Sequence, residues 1–280
     1  MKTGIIDVGG GLRGIYAAGI LDTCMKQNVK FDCCIGVSAG SANMASFLAG
    51  QAGRNYRFFH DYSFRKKYMS FRNLLHNGSY IDLEYIYGTL SNSGGEDPLN
   101  WEKIKANPAD LITVSTDART GRPKYFTKDD MGQDNYRIFM ASCCLPGINK
   151  PIAIGKDLYF DGALSDPVPL KKAFDEGCDK VVVILTKPVD LRRVPGKDLY
   201  MAKLIRRKYP KAARGLCLRA ERYNKMVDRA EEYVKKGKVL LIGPEDISGV
   251  DTLKRNAEAL HRLYGDGLKD GEKLVKWMKQ

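Results

Sequence analysis

The sequence predicts an α/β fold with a largely parallel sheet and helices on both of its faces. A short apolar run over residues 3–8 precedes a helical pattern over 14–26, and a second run over 31–35 precedes a helix-prone stretch ending near residue 49. Strands that alternate with helices in this way form parallel βαβ units. A later run over 181–185 is rich in β-branched residues, which is typical of strands buried on both faces.

The other predicted elements follow a less regular order. Residues 50–101 show no clean strand pattern and many aromatic residues, which indicates a helical or irregular insertion over about 54–105. Further strands are predicted at 110–116, 123–127, 239–242 and around Ile152 and Tyr159, and further helices at 136–143, from Asp166 to Glu176, and at 253–264. No repeat or linker divides the chain. We expect a main domain over 1–186 and a basic, mainly helical part over 187–280 packed on it.

Composition and cysteine usage predict a cytoplasmic globular protein. The hydrophobic content is 44% and the charged content 28%, and no stretch approaches the roughly 18 uncharged apolar residues of a membrane span. The first apolar stretch is too short for a signal peptide and is interrupted by Asp7. The seven cysteines are odd in number, include two adjacent pairs and show no zinc-ligand spacing, so we expect reduced, mostly buried thiols.

Positive charge is concentrated in one segment. The net charge is +13, and residues 192–214 carry nine basic side chains against one acid, Asp198. Such a segment attracts nucleic acid, an anionic bilayer or a charged substrate, and it is equally typical of a solvated helix face. No nucleic-acid-binding motif accompanies the charge, so we expect no nucleic-acid partner.

The segment Gly36-Val37-Ser38-Ala39-Gly40 has the Gly-x-Ser-x-Gly pattern of a nucleophile elbow. It follows a predicted strand and precedes a predicted helix, as an elbow requires. So sharp a turn strains the serine backbone and demands small neighbours, here Gly36 and Gly40. The turn lifts the hydroxyl clear of the sheet at the positive end of a helix. Ser38 is therefore a candidate nucleophile.

A second glycine-rich segment follows the first strand. It comprises Gly9, Gly10, Gly11, Leu12, Arg13 and Gly14. By its letters it matches the dinucleotide fingerprint Gly-x-Gly-x-x-Gly, and Asp32 lies 18 residues after Gly14, near the expected acid. Consecutive amides at a helix start also form an anion-binding nest, which beside Ser38 would be an oxyanion hole. The elbow directly after Asp32 favours the oxyanion hole over a ribose pocket.

A serine nucleophile needs a base, and the three histidines are poor candidates. His60, His76 and His261 are the histidines of the chain. His261 satisfies the order of an α/β-hydrolase triad, but that fold needs several strands before its elbow and here one precedes it. A carboxylate is the alternative. Asp161, followed by Gly162 at the end of a short strand, is the best placed, although an Asp-Gly turn is also a common structural motif.

Together these blocks resemble the patatin-like phospholipase family, in its bacterial cytoplasmic branch. The resemblance rests on the glycine loop at 9–14, the elbow at 36–40, residues 141–146 and Asp161-Gly162-Ala163, in that order. It implies a three-layer α/β/α sandwich and a Ser38–Asp161 dyad that cleaves fatty acyl esters of phospholipids or lysophospholipids, with the glycine loop as oxyanion hole and without metal or cofactor. Ala163 departs from the glycine that the family often has.

Two further questions stay open from sequence. Residues 54–72 interleave six basic and seven aromatic side chains, which suits contact with an anionic membrane and equally suits a packed helical insertion. The chain also fits a non-catalytic lipid- or acyl-binding protein that retains the pocket. The acyl chain, the headgroup and the oligomeric state do not follow from the sequence.

Overall fold

The apolar runs near the start of the chain form the centre of one sheet. The computed structural model describes residues 1–279, and within them the sheet has eight strands. The strands are β1 (Thr3–Asp7), β2 (Cys33–Val37), β3 (Asp110–Asp117), β4 (Pro123–Phe126), β5 (Ile152–Ile154), β6 (Asp157–Asp161), β7 (Lys180–Ile184) and β8 (Val239–Ile242).

The sheet is parallel in its centre and antiparallel at one side. Strands β3, β2, β1, β7 and β8 run parallel in that spatial order. Strands β4 and β6 pair antiparallel with β3, and β5 pairs antiparallel with β6. The parallel pairs need crossover connections, which the intervening helices provide.

Ten α-helices lie in the described residues. They are α1 (Ile15–Lys26), α2 (Ala39–Leu48), α3 (Arg54–Tyr56), α4 (Phe71–Asn77), α5 (Trp101–Ala106), α6 (Arg137–Ser142), α7 (Leu170–Asp175), α8 (Gly196–Ile205), α9 (Pro210–Lys235) and α10 (Ala257–Met278). Two π-helical turns, Arg57–Asp61 and Tyr85–Thr89, lie in the insertion, and short 3₁₀ turns complete the connections.

Successive strand residues point into two separate cores, one on each face of the sheet. Ile5 packs in the core beneath α1, α2 and α10, whereas Ile6 packs in the core beneath α7 and α9. Both faces of the parallel strands are therefore covered, which explains their continuous apolar sequence. The structure confirms the predicted α/β/α fold with its mostly parallel central sheet.

Three predicted boundaries are wrong by two to four residues. Strand β2 begins at Cys33, and the Asp32 carboxylate just before it accepts the Thr3 amide at 2.7 Å. Helix α7 begins at Leu170 and not at Asp166, since Pro167 and Pro169 disfavour helical angles in the residues before them. The C-terminal helix begins at Ala257, after Asn256 caps it by accepting the Ala259 amide.

The aromatic insertion is mostly packed inside the protein. Of the seven aromatic residues over 54–72, four are buried and one half-buried, and only Phe64 and Phe71 are exposed. The Arg54 guanidinium is buried beside Asp97, and Arg57 donates to the same carboxylate at 2.7 Å. The first half of the segment is therefore a packed helical insertion.

Candidate active site

Ser38 stands at the turn between β2 and α2. Its backbone angles, φ 55° and ψ −132°, lie where a residue with a side chain is strained. Its amide donates to the Ser142 hydroxyl at 2.9 Å, and that hydroxyl donates to the Val114 carbonyl at 2.6 Å. The predicted strained turn is present, and Ser142 fixes it to the neighbouring strand.

The two glycines of the elbow are required by close backbone contacts. A Cβ on Gly36 would lie 2.3 Å from the Ser41 Cα, and one on Gly40 would lie 2.4 Å from the Asp7 carbonyl oxygen. Carbon atoms at these distances overlap. The helix that follows Ser38 can therefore approach the sheet closely enough to direct its N-terminus toward the serine.

Strand β3 aligns the ends of β2 and β6. Val37 pairs with Val114, and Asp161 pairs with the next residue, Ser115. Strand β4 overlaps both pairings and so occupies the opposite edge of β3. Strands β2 and β6 consequently lie end to end along one edge, with their carboxyl ends facing each other. This arrangement brings Ser38 beside Asp161, although 123 residues separate them in sequence.

Asp161 is a buried carboxylate with few partners. Its side chain accepts the Ala163 amide at 2.8 Å, and the residue is 1% exposed. Burial raises the pKa of Asp161, while the hydroxyl of Ser38 and the Ala163 amide act in the opposite direction. A carboxylate with a raised pKa is a better proton acceptor than an exposed aspartate. The pairing of this group with Ser38 fits proton transfer between them.

The glycine loop lies directly against the serine turn. Gly9, Gly10 and Gly11 have φ values of 65°, 134° and 61°, and a Cβ on Gly9 would lie 2.1 Å from the Val37 carbonyl oxygen. Gly14 ends the 3₁₀ turn that leads into α1 and packs against Phe59. The loop thus has consecutive positive φ values that glycine adopts readily, and it lies in direct contact with the serine turn.

Hydrogen bonds divide the loop amides into two groups. The Gly9 amide donates to Asp7 at 2.8 Å, and the Leu12 amide donates to the Thr252 carbonyl at 3.1 Å. The amides of Gly10 and Gly11 have no acceptor within residues 1–279. The Arg13 side chain is engaged by Asp251 and Thr252. Of the first four residues of the loop, Gly10 and Gly11 are therefore the ones whose amides are free to bind an oxyanion.

Asp7 is a site residue that sequence reasoning missed. It is fully buried below the elbow and the glycine loop, where it accepts from Gly9 at 2.8 Å and from the Asn43 side chain at 2.8 Å. Burial raises the pKa of Asp7 to about 6. An acidic residue ending an otherwise apolar strand was the available signal, since a buried carboxylate requires donors.

Ser38 lies where two cavities meet. The wide cavity, of about 590 Å³, also contains Asp161 and is bordered by six cations. We call Arg13, Lys187, Arg193 and Arg219 the cationic wall; Arg192 and Lys197, both exposed, are the other two. The narrow cavity, of about 60 Å³, is lined mainly by apolar side chains, with Tyr87 and Cys143 among them. One side of the serine is therefore polar and positively charged, and the other is apolar.

The residues of the two alternatives, a histidine base and a dinucleotide site, lie away from Ser38. His261 is exposed on α10 and pairs with the Tyr56 hydroxyl at 3.0 Å, and no histidine lines either cavity within the described chain. Asp32 lies at the amino end of β2, where it accepts from Thr3, so it is at the opposite end of the sheet from the glycine loop. The structure provides neither a histidine base nor the acid of a ribose site.

The doubly covered sheet and the strained serine turn define an α/β/α fold with the geometry of a nucleophile elbow. The chain belongs to the patatin-like phospholipase family, whose model matches residues 8–174. The predicted family is thereby confirmed. A second model, described as a domain of unknown function (DUF6363), matches residues 209–280.

Similar proteins include both uncharacterized and named relatives. The chain is 26% identical to the uncharacterized protein YjjU of Escherichia coli over 69% of its length, and 27% identical to lysophospholipase NTE1 of Candida albicans over 68%. These matches span 54% and 13% of the two relatives, so the chain corresponds to only part of each. VipD of Legionella pneumophila shares the fold, with a TM-score of 0.57 at 11% identity, over 98% of this chain and 67% of VipD.

Proposed function

We propose that the protein is a serine esterase that cleaves fatty acyl esters of phospholipids, lysophospholipids or related lipids. Asp161 accepts the Ser38 proton as the hydroxyl oxygen attacks the ester carbonyl carbon. The Gly10 and Gly11 amides bind the developing oxyanion. Asp161 returns the proton to the departing alcohol, which leaves an acyl-enzyme. Water then attacks the acyl carbonyl carbon with Asp161 again as base. The fatty acid is released, and Asp161 returns the proton to the Ser38 oxygen.

The position of Ser38 at the junction of the two cavities carries this proposal. A lipid ester has an apolar chain on the carbonyl carbon and a polar alcohol on the ester oxygen. The narrow apolar cavity suits the first part of the acyl chain, and the wide cavity suits the alcohol side. Family membership and the similarity to a named lysophospholipase support the same substrate class.

The competing function is a non-catalytic lipid or acyl-group binder. Such a protein needs the cavities but has no use for a strained serine beside a buried carboxylate. Strain of this kind costs about 1–3 kcal/mol and persists where function maintains it. A dinucleotide-binding role has less support, because Asp32 is bonded to Thr3 far from the glycine loop.

Two substitutions and one control test the dyad. Ser38→Ala and Asp161→Asn should each lower hydrolysis of a short-chain nitrophenyl ester by roughly 10³-fold or more, as loss of a nucleophile or its base does. His261→Ala should retain full activity, since His261 borders neither cavity. A fluorophosphonate probe should label Ser38 in the parent protein. Full activity of Ser38→Ala, or labelling elsewhere, would contradict the mechanism.

We also propose that α8 contacts an anionic bilayer, at the inner membrane surface if the protein is cytoplasmic as we expect. No helix within residues 1–279 is long and apolar enough to span a membrane. Val194, Leu199, Tyr200 and Leu204 are between 45% and 79% exposed on or beside α8. The adjoining segment 203–214 carries exposed cations without acidic partners in the described chain: Lys203, Arg206, Arg207, Lys208, Lys211 and Arg214. Exposed apolar side chains next to such cations in sequence suit an anionic lipid surface.

Vesicle flotation distinguishes this contact from a merely solvated helix. The parent protein should float with vesicles that contain anionic lipid and not with neutral vesicles. Leu204→Ser should weaken flotation, whereas Val234→Ser, which changes an exposed apolar residue on α9, should not. Equal flotation with both kinds of vesicle, or equal effects of the two substitutions, would argue against α8 as the contact.

A further inference from the structure

The cationic wall is assembled from parts of the chain that are distant in sequence. Arg13 belongs to the glycine loop, Lys187 and Arg193 follow β7, and Arg219 lies on α9. Three of these four residues lie outside the range 8–174 that matches the patatin-like model. The part of the chain beyond β7 therefore supplies most of the charge beside Ser38.

The wall holds more positive than negative charge. Arg219 donates to Asp198 from two nitrogens, and Arg13 pairs with Asp251 at 2.5 Å. These two carboxylates are the acids of the wide cavity apart from Asp161. These carboxylates neutralise Arg13 and Arg219, and Arg192, which also lines the cavity, pairs with Asp228 and Glu231. Lys187, Arg193 and the exposed Lys197 remain for something that enters the cavity.

Of these three, Lys187 and Arg193 are the half-buried cations, and neither has a hydrogen-bonded carboxylate in the described chain. Within residues 1–279 neither the Lys187 ammonium nor the Arg193 guanidinium has a hydrogen-bond acceptor, and Arg193 reaches Asp198 only at 3.9 Å. Arg193 also stacks over Tyr223 at 5.3 Å, which orients its planar donors. Burial lowers the pKa of Lys187 to about 8 and that of Arg193 to about 10, and neighbouring cations add to both shifts. Partly buried cations that lie close together repel one another, and such a cluster indicates a site that binds an anion.

The wall lies next to the proposed oxyanion donors. A Cβ on Gly10 would lie 2.4 Å from the Thr186 hydroxyl oxygen, and Thr186 immediately precedes Lys187. An anion held by Lys187 would therefore belong to the alcohol portion of an ester bound at Ser38. The wide cavity, at about 590 Å³, is within the usual size of sites for small molecules, roughly 300–1,000 Å³.

We propose that Lys187 and Arg193 form a phosphate-binding subsite that selects lipid esters carrying a phosphate group on the alcohol side. The choice of a lipid ester as substrate rests on the proposed esterase function. Binding of a phosphate group by these two cations does not. Arg193 supplies a planar fork for two phosphate oxygens, and Lys187 supplies a compact charge. A neutral ester of the same acyl chain would leave both cations unpaired. The subsite thus discriminates between headgroups rather than between acyl chains.

A substrate pair tests the selectivity. A palmitoyl lysophospholipid and monopalmitoylglycerol carry the same acyl chain with and without a phosphate. The ratio of their kcat/KM values should fall roughly ten- to hundredfold in Arg193→Gln and in Lys187→Met, the range expected for lost charged hydrogen bonds. Arg193→Lys should restore part of the ratio. Lys156→Gln, at an exposed turn, should leave it unchanged. Equal losses on both substrates, or no loss on either, would overturn the subsite.

Direct binding separates failure of the subsite from failure of the esterase. Calorimetry on Ser38→Ala protein should detect glycerol 3-phosphate, with inorganic phosphate binding more weakly because it lacks the glycerol. Adding Lys187→Met should abolish binding and raise the melting temperature, since it removes an unpaired, half-buried cation. A merely structural lysine would lower the melting temperature instead. Inorganic phosphate binding as tightly as glycerol 3-phosphate would contradict a lipid headgroup site.

Discussion

The edge of the sheet around Ser38 and the cationic wall opposite it are built in different ways. At the serine edge, glycines lie where an added Cβ would come within 2.1–2.4 Å of backbone atoms. In the wall, side chains from separate segments reach into open volume, and two of them have no hydrogen-bonded carboxylate in the described chain. Backbone packing therefore fixes the proposed reactive geometry, whereas exchangeable side chains set the charge around it. Selectivity can change in this arrangement without disturbing the elbow.

The largest expected effect is a loss of stability when a methyl group is added at the serine edge. Gly36→Ala and Gly40→Ala should each destabilise the protein by about 3 kcal/mol or more, because the new methyl overlaps backbone that cannot withdraw. The free energy of unfolding in urea measures this cost. Gly94→Ala is the matched control, since its Cβ would meet nothing within 4 Å. Similar losses of stability from Gly40→Ala and Gly94→Ala would show that the serine edge tolerates an added methyl as well as an open loop does.

A second prediction concerns the buried charge beneath the serine edge. The pKa of Asp7 is raised from 3.8 to about 6, so the folded protein holds this proton more tightly than the unfolded chain. Its stabilising contribution is fully present below pH 3.8 and is lost as pH rises to about 6. At about 1.4 kcal/mol per pKa unit, the loss is about 3 kcal/mol.

Asp7→Asn removes that pH dependence. The stability of the variant relative to the parent should therefore rise by up to about 3 kcal/mol between pH 4 and pH 7, as measured by urea unfolding across the range. The comparison isolates Asp7, because other buried carboxylates are common to both proteins. A constant difference over this range would show that Asp7 has an ordinary pKa.

The smallest effect is expected beyond the wall, on the exposed face of the C-terminal part. Arg206→Gln and Lys203→Gln should change the free energy of unfolding by no more than about 0.5 kcal/mol, because both side chains are exposed and unpaired in the described chain. Hydrolysis of a short-chain nitrophenyl ester should also be unaffected. A large loss of stability from either change would show that this face is packed against something essential.

Much of the fold follows from local sequence. The apolar runs near Ile5, Ile35 and Val183 became the central strands, and the flanking glycines of Ser38 identified the elbow. These features depend on neighbours along the chain, where periodicity and residue size are informative. The seven cysteines also follow the expectation of mostly buried, free thiols, with only Cys217 exposed.

The features that the sequence does not predict depend on contacts between distant segments of the chain. Nothing local indicates that β2 and β6 meet end to end along β3, or that Asp7 supports the glycine loop. The burial of Arg54 beside Asp97 is another example, because an arginine among aromatic residues fits a membrane surface as well as an interior. The domain limits of 1–186 and 187–280 stay predictions, and so do the catalytic roles of Ser38 and Asp161, which the proposed variants test.

The hydrogen bond from Leu12 to Thr252 ties the first dozen residues to the last thirty. During synthesis, Ser38 and the glycine loop leave the ribosome long before residue 252 does. Domains fold as units while the chain grows at about 5–20 residues per second, so Leu12 waits roughly 12–48 seconds for Thr252, which is 240 residues further along the chain. The loop acquires this support only after residue 252 has been synthesised, and a chain terminated before that point would carry the serine without this contact.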